Sequence, residues 1–124
     1  MRIVLIILIL FPISLSSQIV TWQGETEYEF GDLVQHQPEE VDFTFVNTSS
    51  DTLLIDNVRS TCGCTAPYWD LTPILPDSAS QIRIKYDSYK AGYFHKKIKV
   101  FFNKQRKAER LSISGRVIPA ERPN

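Results

Sequence analysis

Val41-Asp42-Phe43-Thr44-Phe45 alternates apolar and polar side chains residue by residue. Successive side chains of a strand point to opposite faces, so this period buries Val41, Phe43 and Phe45 and turns Asp42 and Thr44 toward water. Asn47-Thr48-Ser49-Ser50-Asp51 follows, a run whose side chains bond their own backbone and so favour a turn. Asn47-Thr48-Ser49 also fits a glycosylation acceptor by pattern, and the turn is the simpler reading.

The same period extends outward in both directions. Upstream, Ile19 to Trp22 reads as an edge strand, and Tyr28 to Leu33 as a short strand with Gly31 at a bend or bulge. Gln35-His36-Gln37-Pro38 is a polar loop. Downstream, Leu53, Leu54, Ile55 and Val58 form a strand that runs into Arg59-Ser60-Thr61-Cys62-Gly63-Cys64-Thr65-Ala66-Pro67. Pro67, Pro73 and Pro76 bar central-strand pairing and predict a long crossing between two sheets over residues 67–78. Ile82, Ile84 and Tyr86 alternate with Gln81, Arg83 and Lys85. Phe94, Ile98, Val100 and Phe102 share one parity; His95, Lys97, Lys99 and Phe101 share the other. Lys96 falls on the apolar parity, which predicts a strand end or a bulge there. Asn103 to Ala108 makes a basic turn. Leu111, Ile113 and Val117 close the sheet, with Gly115 as an expected bulge. About six to eight short strands with frequent turns describe an all-β antiparallel sandwich, and the long crossing favours a Greek-key link.

The organisation is a single domain behind an export leader. Met1-Arg2 is a positive start, Ile3 to Phe11 is apolar, Pro12 breaks the run, and Ser14-Leu15-Ser16 supplies small residues. That order is a secretory signal peptide over residues 1–17. The apolar run falls short of the roughly 20 residues a membrane helix needs, so no membrane span is expected after processing. Residues 18–118 then form the sandwich, and 119–124 a polar tail. An exported product resides in the periplasm or outside the cell.

The chain is formally neutral, which gives no general attraction to nucleic acid. The charge is unevenly placed, however. Residues 17–56 hold nine acidic side chains and no Lys or Arg, whereas residues 57–124 hold thirteen basic against five acidic. Neutralisation between neighbouring strands accounts for this asymmetry; so would an interaction surface. Glu25, Glu27 and Glu29 alternate and so line the solvent face of a strand. Lys96, Lys97, Lys99, Lys104, Arg106 and Lys107 make a basic patch on one hairpin, suited to an acidic partner or lipid headgroups, or simply solvated.

Several runs together resemble a bacterial secreted family. They are Phe43 to Asn47, Leu53-Leu54-Ile55 with Val58, Thr61-Cys62-Gly63-Cys64-Thr65, and Pro73-Ile74-Leu75-Pro76. Ile84-Lys85-Tyr86-Asp87, Gly92-Tyr93-Phe94, Lys97-Ile98-Lys99-Val100 with Asn103, and Leu111-Ser112-Ile113-Ser114-Gly115 complete the set. That family is a domain of unknown function frequent in exported proteins of Bacteroidetes-type bacteria, and is similar to the immunoglobulin-like domains of the Hydin and ciliary type. The resemblance implies an immunoglobulin-like sandwich of about seven strands in the cell envelope, and no activity. Pro76-Asp77 stands where that family usually has a Pro-Gly turn, which changes only the local turn type.

The chain has two cysteines, Cys62 and Cys64. Exported cysteines usually pair. Two extended residues span about 6.6 to 7.2 Å, whereas bridged Cα atoms sit at about 4.4 to 6.8 Å, so closure needs Gly63 to fold the backbone. A static bridge or tight packing, a thiol-redox pair, and a copper or zinc site on Cys62 and Cys64 all remain open. Zinc would need further ligands, and His36 and His95 read as surface residues. No Ser/His/Asp arrangement and no phosphate loop is visible. The expectation is therefore a non-enzymatic module without a cofactor. It would bind an envelope or surface protein, or take part in envelope assembly, through edge strands and loops. A thiol-active or metal-handling protein is the alternative.

Overall fold

Of the opening stretch, Phe43 and Phe45 are buried, Val41 and Thr44 are half-buried and Asp42 is exposed, as the alternation requires. The computed structural model describes residues 3–9 and 18–121. The alternating runs form eight strands: β1 (Val20–Gln23), β2 (Glu27–Val34), β3 (Glu39–Asn47), β4 (Ile55–Ser60), β5 (Thr65–Trp69), β6 (Ala79–Tyr86), β7 (Gly92–Phe102) and β8 (Glu109–Ile118). They make two four-stranded sheets, ordered β1-β3-β6-β5 and β2-β8-β7-β4.

The two inner faces form the core. Phe45, Ile82 and Ile84 of the first sheet and Ile98, Val100 and Ile113 of the second have no solvent exposure. Each such side chain contributes roughly 1.5 to 3 kcal/mol on burial. Phe45 meets Phe102 across the sheets edge-on at 5.3 Å between ring centres, and Tyr86 stacks on Phe94 at 3.9 Å. At one end, the fully buried Asn47 holds the loops. Its amide donates to the carbonyls of Asp51 (2.8 Å) and Ile74 (2.9 Å), and its side-chain oxygen accepts from Ser49.

Four local expectations are corrected. The sandwich is antiparallel in every strand pair but one: β2 lies parallel to β8. The first strand of the fold is split, β1 pairing with β3 and β2 with β8, after a turn in which Gly24 has φ +92°. Hence about seven strands become eight elements. Second, Pro67 lies inside β5, opposite Ile84. An edge strand tolerates a residue without an N–H, because one side of its ladder has no partner. Both β5 and β6 belong to the first sheet, so Pro73 and Pro76 lie in a loop within that sheet, and the crossing falls earlier, between β4 and β5.

Third, Lys96 causes no bulge: the β7–β8 ladder runs unbroken from Gly92 to Val100, with Lys96 opposite Ile113. The long aliphatic stem of lysine covers apolar surface while its amine reaches water. Fourth, Gly115 is regular, and the shift lies in the neighbouring strand between Glu29 and Asp32, around Gly31 with φ +73°. Gly115 serves a close approach: a Cβ there would sit 2.9 Å from the Gly31 carbonyl oxygen and 2.9 Å from Cζ of Phe94. Of the expected leader, residues 3–9 are exposed and irregular. The expected cleavage point, and the last residues of the polar tail, lie outside the described residues.

Candidate functional site

The change of sheet is made by the cysteines. The N–H of Thr61 donates to the Lys97 carbonyl (3.2 Å), the tie to the second sheet closest to the turn. Cys62-Gly63-Cys64 then turns, and Thr65 opens β5 in the first sheet. Cys62 and Cys64 are joined by a disulfide, with their Cα atoms 5.4 Å apart, inside the range that bridging requires. The Cys64 carbonyl accepts from the N–H of Asp87 (3.0 Å), which fixes the turn to the end of β6. The Thr65 hydroxyl lies 3.8 Å from the sulfur of Cys62 and 4.0 Å from that of Cys64. Cys64 packs partly against the core, and both cysteines are half-buried. Gly63 is not what permits the turn. Its φ lies outside the left-handed region, and a Cβ there would meet nothing within 4 Å.

While bridged, neither sulfur is a thiolate, and the thiolate is the form that attacks disulfides or binds metal. Among the described residues no group of three or more His, Cys, Asp or Glu is placed to hold a metal ion. His36 is exposed at φ 67°, with its ring 5.6 Å from that of Tyr89, and His95 is exposed on β7.

The expected basic patch divides. Lys97 and Lys99 stand on the outer face of the second sheet, Lys96 has the opposite parity, and Lys104, Arg106 and Lys107 occupy the β7–β8 turn. Register instead brings other cations beside Lys99: Arg59 of β4 and Arg110 of β8 are its direct partners on either side.

A second surface was not visible in the sequence. The outer face of the first sheet carries an open groove of about 690 Å³ lined by Glu40, Thr44, Tyr68, Gln81 and Arg83 among others. Asp42 is the ladder partner of Arg83. The Arg83 Nε donates to Asp42 Oδ1 at 2.9 Å, and Glu40 Oε2 lies 3.7 Å away. That hydrogen bond, and the charges of Asp42 and Glu40, hold the guanidinium above its already high ordinary pKa. At the groove's end the Thr72 hydroxyl (2.6 Å) and N–H (2.8 Å) donate to Asp70, holding its carboxyl below the ordinary range. Tyr68 stands 56% exposed beside these fixed charges, and Leu71 and Leu75 project from the following loop at 76% and 59%. The sequence signal was only the polar parity of Arg83; its pairing depends on a register 41 residues distant.

Among the described residues no helix is long and apolar enough to cross a membrane. A comparison with curated proteins finds no match. Among solved structures, a protein of unknown function from Porphyromonas gingivalis W83 is similar at TM-score 0.67 and 16% identity, over 79% of this chain and 46% of that one. The chain therefore spans under half the length of that protein. The ASH/PapD-like domain 7 of human CEP192 is similar at TM-score 0.65 and 12% identity, over 83% and 87% of the two chains. The YadV chaperone is similar at TM-score 0.59 and 13% identity, over 81% and 52%. At these identities the likeness shows the fold, an immunoglobulin-like sandwich of the PapD and ASH kind. Residues 20–117 match the family described as protein of unknown function DUF1573, and the chain belongs to that family.

Proposed function

We propose that this protein is a non-enzymatic recognition module, exported to the periplasm or the cell exterior, whose contact surface is the groove on the outer face of the first sheet. The observation that carries the reading is Tyr68 standing exposed beside an Arg83 already locked by Asp42 and Glu40. Tyr and Arg dominate binding energy at protein interfaces, and a side chain fixed in advance loses less entropy on binding. Export is supported by the leader pattern and by the disulfide, which persists in oxidising compartments. One structural neighbour, YadV, is a chaperone, which agrees with a binding role.

The sheet edges fit this role less well than first expected. The β1 edge is four residues long, β2 and β4 carry register shifts and charges, and β5 carries Pro67. Short length, bulges, charge and proline are the devices that block strand addition. The faces are left to bind. A photoreactive residue placed at Gln81 in producing cells tests the reading. A discrete protein adduct that disappears in Tyr68→Ala supports it, and an adduct pattern indifferent to Tyr68 and Arg83 overturns it.

A second reading is favoured by the bridge itself. A disulfide closing so short a loop constrains the unfolded chain little: the chain-entropy relation for three residues gives roughly 1.6 kcal/mol. A bridge of small structural worth that is half-exposed fits a thiol-exchange pair acting on protein thiols or disulfides. Copper or zinc binding would require the reduced form, with both sulfurs free. Thiol counting and metal titration before and after reduction separate these readings from a static bridge.

A further inference from the structure

The outer face of the β2-β8-β7-β4 sheet carries carboxylates along β2 and cations on β8, β7 and β4, and among the described residues neither set forms an ion pair. Register places Arg110, Lys99 and Arg59 side by side on three adjacent strands, with Lys97 next along β7. Like charges directly opposite one another in a sheet are destabilising. Yet among the described residues none of these cations has a carboxylate within 4.0 Å; only Arg83, on the other sheet, does. The guanidinium of Arg59 is instead held 5.8 Å from the ring centre of Phe101.

The complementary column is on β2. Glu27 and Glu29 are exposed, with Glu25 just ahead of the strand, and among the described residues none of them pairs with a cation. The ladders fix their heights. Glu27 lies opposite Ser112, which lies opposite Lys97; Glu29 lies opposite Ser114, which lies opposite His95. Glu27 and Lys97 are thus at the same level on one face, about 10 Å apart, two strand spacings with Ser112 of β8 between them.

From this register we infer that the face pairs with the same face of a second copy of this chain. A two-fold axis along the strands, over β8, turns one face onto the other and exchanges left for right while keeping height. Glu27 of each copy then meets Lys97 of the other, and Glu25 approaches the Lys99–Arg59 row. One patch serves both copies, as a two-fold contact requires. The chain's formal neutrality fits a partner that carries both columns; a purely acidic ligand would leave the β2 carboxylates facing like charge. The contact is polar and exposed, so it is salt-sensitive. It lies on the sheet opposite the Tyr68 groove and stands or falls independently of it.

Sedimentation equilibrium of the purified protein at about 20 mM and about 500 mM salt tests the inference. The expected result is a mass approaching twice that of one chain at low salt and that of one chain at high salt. Lys97→Glu/Lys99→Glu and Glu27→Lys/Glu29→Lys, each checked for strand content by circular dichroism, should each remain single chains at low salt. Mixing the two variants should restore a pair, because the changed side chain at position 97 of one then meets the changed side chain at position 27 of the other, again with opposite charge. Wild-type protein that stays a single chain at low salt overturns the inference. So does self-association untouched by either substitution set, or wild-type protein that remains single and binds only polyphosphate or acidic vesicles through Lys97 and Lys99.

Discussion

Asn47→Ala tests whether one buried amide holds the loop end of the sandwich. The native side chain has no solvent exposure and makes four hydrogen bonds: to the carbonyls of Asp51 and Ile74, and from the N–H and hydroxyl of Ser49. Alanine removes all four. Without the amide oxygen the single Ser49 hydroxyl proton turns to the Asp51 carbonyl, and the Ile74 carbonyl keeps the Leu53 N–H, so neither is orphaned outright. At about 0.5 to 1.5 kcal/mol net per bond, the expected loss is about 2 to 6 kcal/mol. That is a large part of the roughly 5 to 15 kcal/mol by which a domain is stable. Asn47→Leu should cost at least as much, because it fills the volume but still strips the donors from the carbonyls. Asn47→Asp keeps the Ser49 acceptor but aims an anion at two carbonyl oxygens, so its deficit should shrink when acid protonates it. Urea unfolding with linear extrapolation measures each difference. A loss under about 0.5 kcal/mol for alanine, or a gain for leucine, would refute the reasoning.

The other expectations are smaller in scope. Gly115→Ala forces a methyl to 2.9 Å from the Gly31 oxygen and the Phe94 ring, and should cost about 1 to 3 kcal/mol by overpacking; Gly63→Ala, with open space around it, should be near neutral in the same urea titration. Replacing both cysteines by alanine should lower stability by no more than about 1.6 kcal/mol, measured as a small shift in thermal midpoint with unchanged circular dichroism. Burial, and then the charge of Asp87, raise the Tyr86 phenol above its ordinary value of 10.0. The fold prefers the neutral phenol, so its contribution is complete below pH 10 and is lost as pH rises through the folded value. Tyr86→Phe should therefore flatten the alkaline limb of a stability–pH profile.

The strands were legible because burial imposes the period of two directly on the residues. Phe43, Phe45, Ile82, Ile84, Ile98, Val100, Leu111, Ile113 and Val117 all lie in the core that the alternation assigned them. What failed depends on partners distant in sequence. Pro67 was barred from a strand on the premise of a central position, and only the strand order shows that β5 is an edge. The parallel β2–β8 pair, the Arg83–Asp42 bond and the Arg110–Lys99–Arg59 row each join segments that no local pattern connects. Gly115 misled for a related reason, since the neighbour demanding its missing side chain lies on another strand. At the cysteines, spacing defined the limits of closure, and the chain satisfies them through the turn that changes sheets.

The most direct test of the functional account compares adduct formation from a photoreactive residue at Gln81 in three chains: otherwise unaltered, Tyr68→Ala, and Cys62→Ala/Cys64→Ala. A recognition groove predicts a partner adduct that survives loss of the cysteines and vanishes without Tyr68. An adduct that requires the cysteines and ignores Tyr68 would contradict the account and assign the activity to the sulfur pair.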